Sequence, residues 1–428
     1  MSARVPSEHA AAATAAERES GSAPPRRTIH GLREYRLGRL PFTLAGEGEC
    51  ARYLETELES VRDPAPQRDA PRIAFEIVPA LPPLADYTAT QPAYAMAGAF
   101  RVAHNDVTYH VSELDAEVHD ERSLPRTTVH GEAGGQRSGA LLPAGGLRVA
   151  VRRDDNGRRY RWFSAYYRAR DWTFLSGEEN RAKNFMYGVF DYLTQIAQLE
   201  LGQSYFHASS VERGGEGTAI VAWGGIGKTS AALKLITEHG FRFLSDDLGL
   251  VDESGTLWRT PKRLQVYAYN VAGEERLRSM LLEGRSALDR GAWAWKLRRR
   301  GAKGVRRRVS AEQLFGAEAV AHRAPLRRVF CLERGDARDF EAHAISAEEL
   351  ARRAAEVVMQ EIEPFGLISR ALHSGHRAPL LPTQDDVIAA TRAVLRRAFD
   401  GIPVSNVRIP VGASPGALAS YLLAQMQT

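Results

Sequence analysis

A chain of 428 residues, 44 % hydrophobic and 25 % charged, is long enough for two or three domains and has the composition of a globular protein. Its formal charge of +5 carries no nucleic-acid-binding motif with it, and no apolar run approaches the roughly 20 residues that span a bilayer. The Ala-rich patch at residues 10–16 is too short and too interrupted for a signal peptide, and the two cysteines, Cys50 and Cys331, lie far apart without metal-ligand spacing. A disulfide framework is thereby excluded and a reducing, cytoplasmic setting expected, with no membrane partner.

Residues 1–27 are Ala, Ser, Glu, Pro and Arg with no apolar period, which predicts a disordered tail. From 28 to 175 the pattern is of strands. Residues 73–78 read as one strand, 100–112 as a hairpin turning at Asn105-Asp106, and 147–167 as a second hairpin turning at 154–157. Between the hairpins, 115–146 is polar and Gly-rich and reads as a loop. No catalytic side chains cluster in this region, so a mainly β N-terminal domain on the substrate or assembly side is expected. Residues 176–202 predict a connecting helix. It is announced by the capping box Ser176-Gly-Glu-Glu179, and Phe185, Val189, Leu193 and Ile196 recur on one buried face.

Residues 203–428 carry the chemistry. Ala222-Trp-Gly-Gly-Ile-Gly-Lys-Thr229 matches the phosphate-binding pattern Gly-x-x-x-x-Gly-Lys-[Ser/Thr], with Ala222 in place of the first Gly. Gly224, Gly225 and Gly227 let backbone N–H groups point at phosphate oxygens, and Ile226 and Ser230 complete the stretch expected to hold the nucleotide. Lys228 supplies a mobile charge for the β/γ-phosphates, and the Thr229 hydroxyl can ligate Mg²⁺. Residues 218–222 read as a buried strand and 230–239 as a helix stopped by Gly240, so the loop is expected at a helix N-terminus, where anions are favoured. The apolar run 241–244 reads as a central strand ending in Ser245, Asp246 and Asp247, one strand over from the loop. Adjacent carboxylates in a strand face opposite ways; one can hold Mg²⁺ while the other takes a proton from an attacking hydroxyl. Helices are expected at 346–360, 385–399 and 417–426, and no internal repeat is present.

These residues carry a family resemblance. Tyr205-Phe-His207-Ala-Ser-Ser-Val211, then the loop ending Gly-Lys-Thr-Ser230, then Gly240-Phe-Arg-Phe-Leu-Ser-Asp-Asp247 resembles the catalytic core of the HPr kinase/phosphorylase superfamily, whose nucleotide site is similar to that of ATP-dependent phosphoenolpyruvate carboxykinases. A weaker echo follows at Gln313-Leu-Phe-Gly316 and at 325–333. The resemblance implies an α/β C-terminal P-loop kinase core of the HPr kinase/carboxykinase type. In it Lys228 and Thr229 would meet nucleotide and Mg²⁺, Asp246 the metal, and Asp247 would be the catalytic base, with His207 on the strand before the loop. On the residues alone His207 reads first as a core histidine, and the resemblance puts the phosphate or metal role level with that. The Arg-Gly-Leu-Gly-Ile run of the bifunctional bacterial enzymes is absent, and the better match is to diverged HPr-kinase-like proteins, some of which phosphorylate serine in peptides or small molecules.

The function expected is therefore ATP- and Mg²⁺-dependent transfer of a phosphoryl group to a hydroxyl, first of all a serine in a peptide or protein. A small hydroxyl-bearing metabolite is the second choice, and a non-catalytic, ATP-regulated binding module the third. A homo-oligomer is left open. One feature stands apart: Lys296 to Arg308 holds eight positive charges in thirteen residues and no acid, directly after Trp293-Ala-Trp295. It reads either as a solvated, mobile loop or as a flexible flap over an acidic acceptor, with nucleic acid behind both.

Overall fold

The computed structural model describes residues 31–63, 71–78, 81, 88–89, 93–96, 99–104, 107–113, 140–143, 145–152, 185–362, 366, 369–370, 372–374 and 380–427. Within them the chain is mixed α/β, built on two large sheets and a two-stranded ladder.

The first sheet has eight strands: β1 (Arg33–Leu37), β2 (Leu40–Ala45), β3 (Ile73–Val78), β4 (Thr88–Ala89), β5 (Ala93–Met96), β6 (Ala99–His104), β7 (Val107–Glu113) and β8 (Leu147–Arg152), in the order β1-β2-β3-β8-β7-β6-β5-β4. Alternation drives it: Ile73, Phe75 and Ile77 are buried while their neighbours are half-exposed, so one face packs inward. There Phe42 and Phe75 meet Phe190 with ring centroids 5.4 and 5.3 Å apart, and Phe75 meets Phe185 edge-on at 5.4 Å. The hairpin expected at 100–112 is β6–β7, closing His104 against Val107; its turn residues lie outside the described ones. Also outside are the tail, most of the 115–146 loop, the second hairpin beyond β8 and the capping box at Ser176.

Phe185, Val189, Leu193 and Ile196 are buried, but so is every residue of 188–199, so this stretch is covered all round rather than on the one face their spacing predicts. They lie in a wide turn, Met186–Phe190, that runs into helix Asp191–Glu200. Their cluster also takes in Val358 and Val394 from two later helices, Ala347–Glu361 and Gln384–Phe399.

The second sheet contains β9 (Gln203–Phe206), β10 (Ala208–Arg213), β11 (Glu216–Ala222), β12 (Arg242–Ser245), β13 (Gly249–Asp252) and β14 (Thr256–Trp258). β15 (Leu264–Tyr267) and β16 (Arg306–Val309) form the separate ladder, and β17 (Arg323–Gly335), β18 (Glu341–Ala344) and β19 (Val404–Pro410) complete the large sheet. Its path is β12-β10-β11-β17-β14-β13-β9, with β19 joined parallel to the far half of β17. β11 is apolar throughout because both its faces are covered: Ile220 and Ala222 pack toward helix Lys228–His239, Ala219 and Val221 toward Leu350 and Leu395.

Two expectations are corrected here. The run 241–244 is not a central strand: β12 is at the sheet's edge, and β10, hairpin-paired to β11, takes the place beside the loop strand. The run is apolar because it is buried: Phe241 and Phe243, the latter bridged to Val320, join a core with Val211 and Leu235, and Leu244 joins one with Val221 and Ala321, so burial rather than sheet position sets its composition. The basic segment is not a mobile loop or flap. Residues 296–300 end a helix, Ala287–Arg300, capped by the Ser286 side chain, and 306–308 belong to β16. The acid that anchors the segment, Asp289, lies just upstream of the charge run: its carboxylate pairs with Arg307 at 2.7 Å, and the Arg307 guanidinium lies 5.0 Å over the Trp293 ring. Trp293 is 6 % exposed, whereas Trp295 is 56 % exposed beside Arg298, Arg299 and Arg300, which face solvent.

Candidate active site

β11 ends at Ala222, residues 223–227 turn, and Lys228 opens the helix that Gly240, left-handed at φ 69°, closes. Gly225 (φ 76°) and Gly227 (φ 121°) hold backbone that side chains resist. At Gly224 and Gly225 an added Cβ would meet nothing within 4 Å, so the turn is an open cradle at a helix N-terminus. Trp223 stands out from it, 52 % exposed, while Ile226 is half-buried.

Lys228 folds back under this cradle. Its Nζ donates to the carbonyls of Ala222 at 2.8 Å and Trp223 at 3.2 Å, and it has no direct carboxylate partner among the described residues. Burial pushes its pKa down to about 8 although Asp246 and Asp247 pull the other way. A buried ammonium held only by carbonyls is suited to an incoming phosphate.

Thr229, next on the helix, donates its hydroxyl to Asp246 Oδ1 at 2.9 Å and Oδ2 at 3.1 Å. Ser209 of β10 donates to the same carboxylate. β12 runs antiparallel to β10, which runs antiparallel to β11, so the ends of β11 and β12 share one edge and the acid reaches the loop across β10. Burial raises the Asp246 carboxyl above the usual carboxylate range, as expected of a group whose charge lacks a full counterion. Ser230 is buried and its hydroxyl accepts from Asn270 Nδ2 at 2.7 Å, which ties the helix to the segment after β15.

Asp246 and Asp247 diverge, but not by strand alternation, because β12 ends at Ser245. The Leu248 N–H donates to the Asp246 carbonyl at 2.9 Å, closing a three-residue turn around Asp247. Asp247 sits there at φ 71°, in the left-handed region, the single non-glycine with positive φ among the described residues. Its carboxylate points away from Asp246 to Lys262, with Nζ–Oδ2 3.6 Å, and to His207, with Nδ1–Oδ1 3.9 Å. Burial acts to raise the Asp247 carboxyl, but Lys262, His207 and Lys228 outweigh it and hold it below the usual range.

His207 lies at the junction of β9 and β10 rather than inside a strand. Its Nδ1 is 3.8 Å from Glu361 Oε1, and burial, then Lys228, pushes its pKa down to about 4. His207, Asp247 and Glu361 each offer one ligand atom within 4.8 Å of the others, so this trio, like the Thr229–Asp246 pair, has the donors for a divalent cation.

The sequence reading missed Ser209, Lys262, Asp191 and Glu361. Lys262 Nζ pairs with Asp191 Oδ2 at 2.9 Å, and both side chains are almost wholly buried. Asp191 lies on a helix whose other polar side chains, Thr194, Gln195 and Gln198, are also buried, a setting that the sequence does not announce.

No helix among the described residues is long and apolar enough to cross a membrane. No family model and no curated protein matches the chain. Among solved structures it is similar to the HPr(Ser) kinase/phosphatase from Coxiella burnetii, at 12 % identity and a TM-score of 0.23, over 52 % of this chain and 97 % of that one.

Proposed function

We propose that this chain is a Mg-ATP-dependent phosphotransferase that moves the γ-phosphate to a hydroxyl, first of all a serine in a peptide or protein, and as second choice a small hydroxyl-bearing metabolite. One observation carries the reading. The buried Lys228 ammonium and the Thr229 hydroxyl, adjacent on a helix N-terminus, converge with Asp246 from across the sheet, while Asp247 is turned away on strained backbone. On this reading 203–428 is a diverged HPr-kinase-like P-loop core, 176–202 its connection, and 28–175 a substrate-side or assembly domain, in a cytoplasmic protein whose Cys50 and Cys331 form no disulfide.

The geometry supports the following roles. The open cradle at Gly224 and Gly225 receives phosphate oxygens on backbone N–H groups, and Lys228 exchanges its carbonyl partners for phosphate charge. Thr229 and Asp246 would hold Mg²⁺, which when bound neutralises charge on the β- and γ-oxygens. Asp247, ionised at neutral pH, accepts the acceptor's hydroxyl proton as that oxygen bonds to the γ-phosphorus and the β–γ bridging bond breaks, leaving ADP. His207 is neutral there and serves as a wall or a ligand rather than an acid. An ATP-regulated binding module would need the loop and Asp246 but no second carboxylate on strained backbone, which is why transfer is preferred.

The experiment is label transfer. Full-length protein is incubated with γ-labelled ATP and host extract, beside Asp247→Asn, and labelled species are identified by mass spectrometry. Label on a peptide serine in the wild type alone is expected. A wild type that binds ATP yet labels nothing would leave the binding module as the better account.

A further inference from the structure

We propose that Lys262, shared with Asp191, is the positioning residue for Asp247: it fixes the carboxylate in place while leaving its oxygens free for an acceptor hydroxyl. This rests on the transferase reading above. The first observation is the unequal sharing. Lys262 Nζ lies 2.9 Å from Asp191 and 3.6 Å from Asp247. An ammonium facing Asp247 alone would close to full hydrogen-bond distance and occupy the lone pairs a base needs. Tied more closely to Asp191, it holds Asp247 by charge from just outside that distance.

The second observation is how firmly the clamp is built. Lys262 lies in the extended strap between β14 and β15. The Thr260 hydroxyl donates to the Leu248 carbonyl at 3.0 Å, so the strap is fastened to the very turn that carries Asp247. The Arg259 N–H donates to the His322 carbonyl at 2.9 Å on one side of Lys262, and on the other Arg263 pairs at 3.4 Å with the buried Glu57. Asp191 opens its helix directly after the wide turn Met186–Phe190, whose Tyr187 ring lies 4.8 Å from Lys262 Nζ. The strain at φ 71° supplies the need, since a carboxylate on such a turn keeps one direction only where its surroundings impose it.

The test uses water as the acceptor. Phosphate release from Mg-ATP is measured for the full chain and for Lys262→Met combined with Asp191→Asn, which removes the closest buried pair together so that neither member is left without the other. Lys262→Arg, Asp247→Asn and the three substitutions together complete the set. A base displaced by an ångström loses about a hundredfold in rate, so the double variant should lose about that in kcat while its Kd for Mg-ATP stays within about threefold of wild type. Because Lys262 acts through Asp247, adding Asp247→Asn to the double variant should cost nothing further. Lys262→Arg should recover part of the rate. Wild-type kcat in the double variant, or losses that multiply in the triple one, would overturn the inference. A wild type that binds Mg-ATP but passes phosphate neither to water nor to any acceptor in host extract is the distinct result that removes the transferase reading, and this inference with it.

Discussion

Lys228→Met should make the nucleotide-free protein more stable, not less. The lysine pKa falls from an ordinary 10.5 to about 8 on folding, chiefly by burial. At about 1.36 kcal/mol per pH unit this is roughly 3 kcal/mol held against the folded state at neutral pH. Methionine keeps the stem and removes the charge, but it leaves the Ala222 and Trp223 carbonyls without their donor, at about 1 kcal/mol each. The net expectation is a gain of about 1–2 kcal/mol, read as a rise of a few degrees in melting temperature. The sign with pH is fixed. Between pH 8 and 10.5 the unfolded chain holds a proton that the folded lysine has lost, so the wild-type penalty is complete below pH 8 and gone above 10.5. The variant's advantage should therefore be full at pH 7 and fade as pH rises through that window. Mg-ATP should offset that gain, since ligand at a hundred times the wild-type Kd adds about 2.7 kcal/mol to wild type but only about 0.4–1.4 kcal/mol to a variant that binds ten- to a hundredfold more weakly. Thermal scans at pH 7 and 10, with and without Mg-ATP, check all of this. A variant less stable than wild type at pH 7 without nucleotide, or a difference that ignores pH, would refute the reasoning.

His207 is buried neutral, with its pKa pushed to about 4, so its ring resonances should stay flat from pH 8 to 5.5 in NMR titration. Below 6.5 the unfolded chain takes up a proton that the folded histidine refuses; stability should fall between 6.5 and 4, and His207→Gln should flatten that fall. Asp289→Ala leaves the Arg307 guanidinium buried without its partner and should cost about 3–5 kcal/mol in denaturant melts, whereas Asp289→Leu with Arg307→Met should cost far less. Neutralising Arg298, Arg299 and Arg300 together touches only exposed charges and should leave the melting temperature and Mg-ATP affinity unchanged while reducing label transfer to an acidic acceptor. Full label transfer with that variant would reduce the three arginines to a solvated helix end.

What was legible in the sequence was local. The strand ending at Ala222, the loop, the helix to His239 and the later helices each carry their signals within a dozen residues, and they lie where those signals put them. The partners of the candidate site were not legible, because they arrive from afar. Lys262 follows Pro261 in a stretch with no period, and Asp191 and Glu361 belong to helices whose apolar faces read as ordinary core. Nothing in one-dimensional pattern says that these three side chains meet. The basic run misled for a related reason: its counter-charge, Asp289, sits on the preceding turns of the same helix, and the pairing of β16 with β15 buries Arg307 by strand alternation. The turn at Asp247 shows the same limit at short range. Alternation predicted the divergence of the two carboxylates, but a positive φ produces it.

The central claim, that the cradle at 224–229 with Asp246 binds Mg-ATP, is tested most directly by calorimetry of ATP with and without Mg²⁺, in wild type and Lys228→Ala. The account predicts Mg²⁺-dependent binding in wild type and a loss of about ten- to a hundredfold in the variant, the worth of about 1.5–3 kcal/mol for a charge-assisted phosphate contact. Equal affinities in the two proteins, or no heat from wild type, would contradict it.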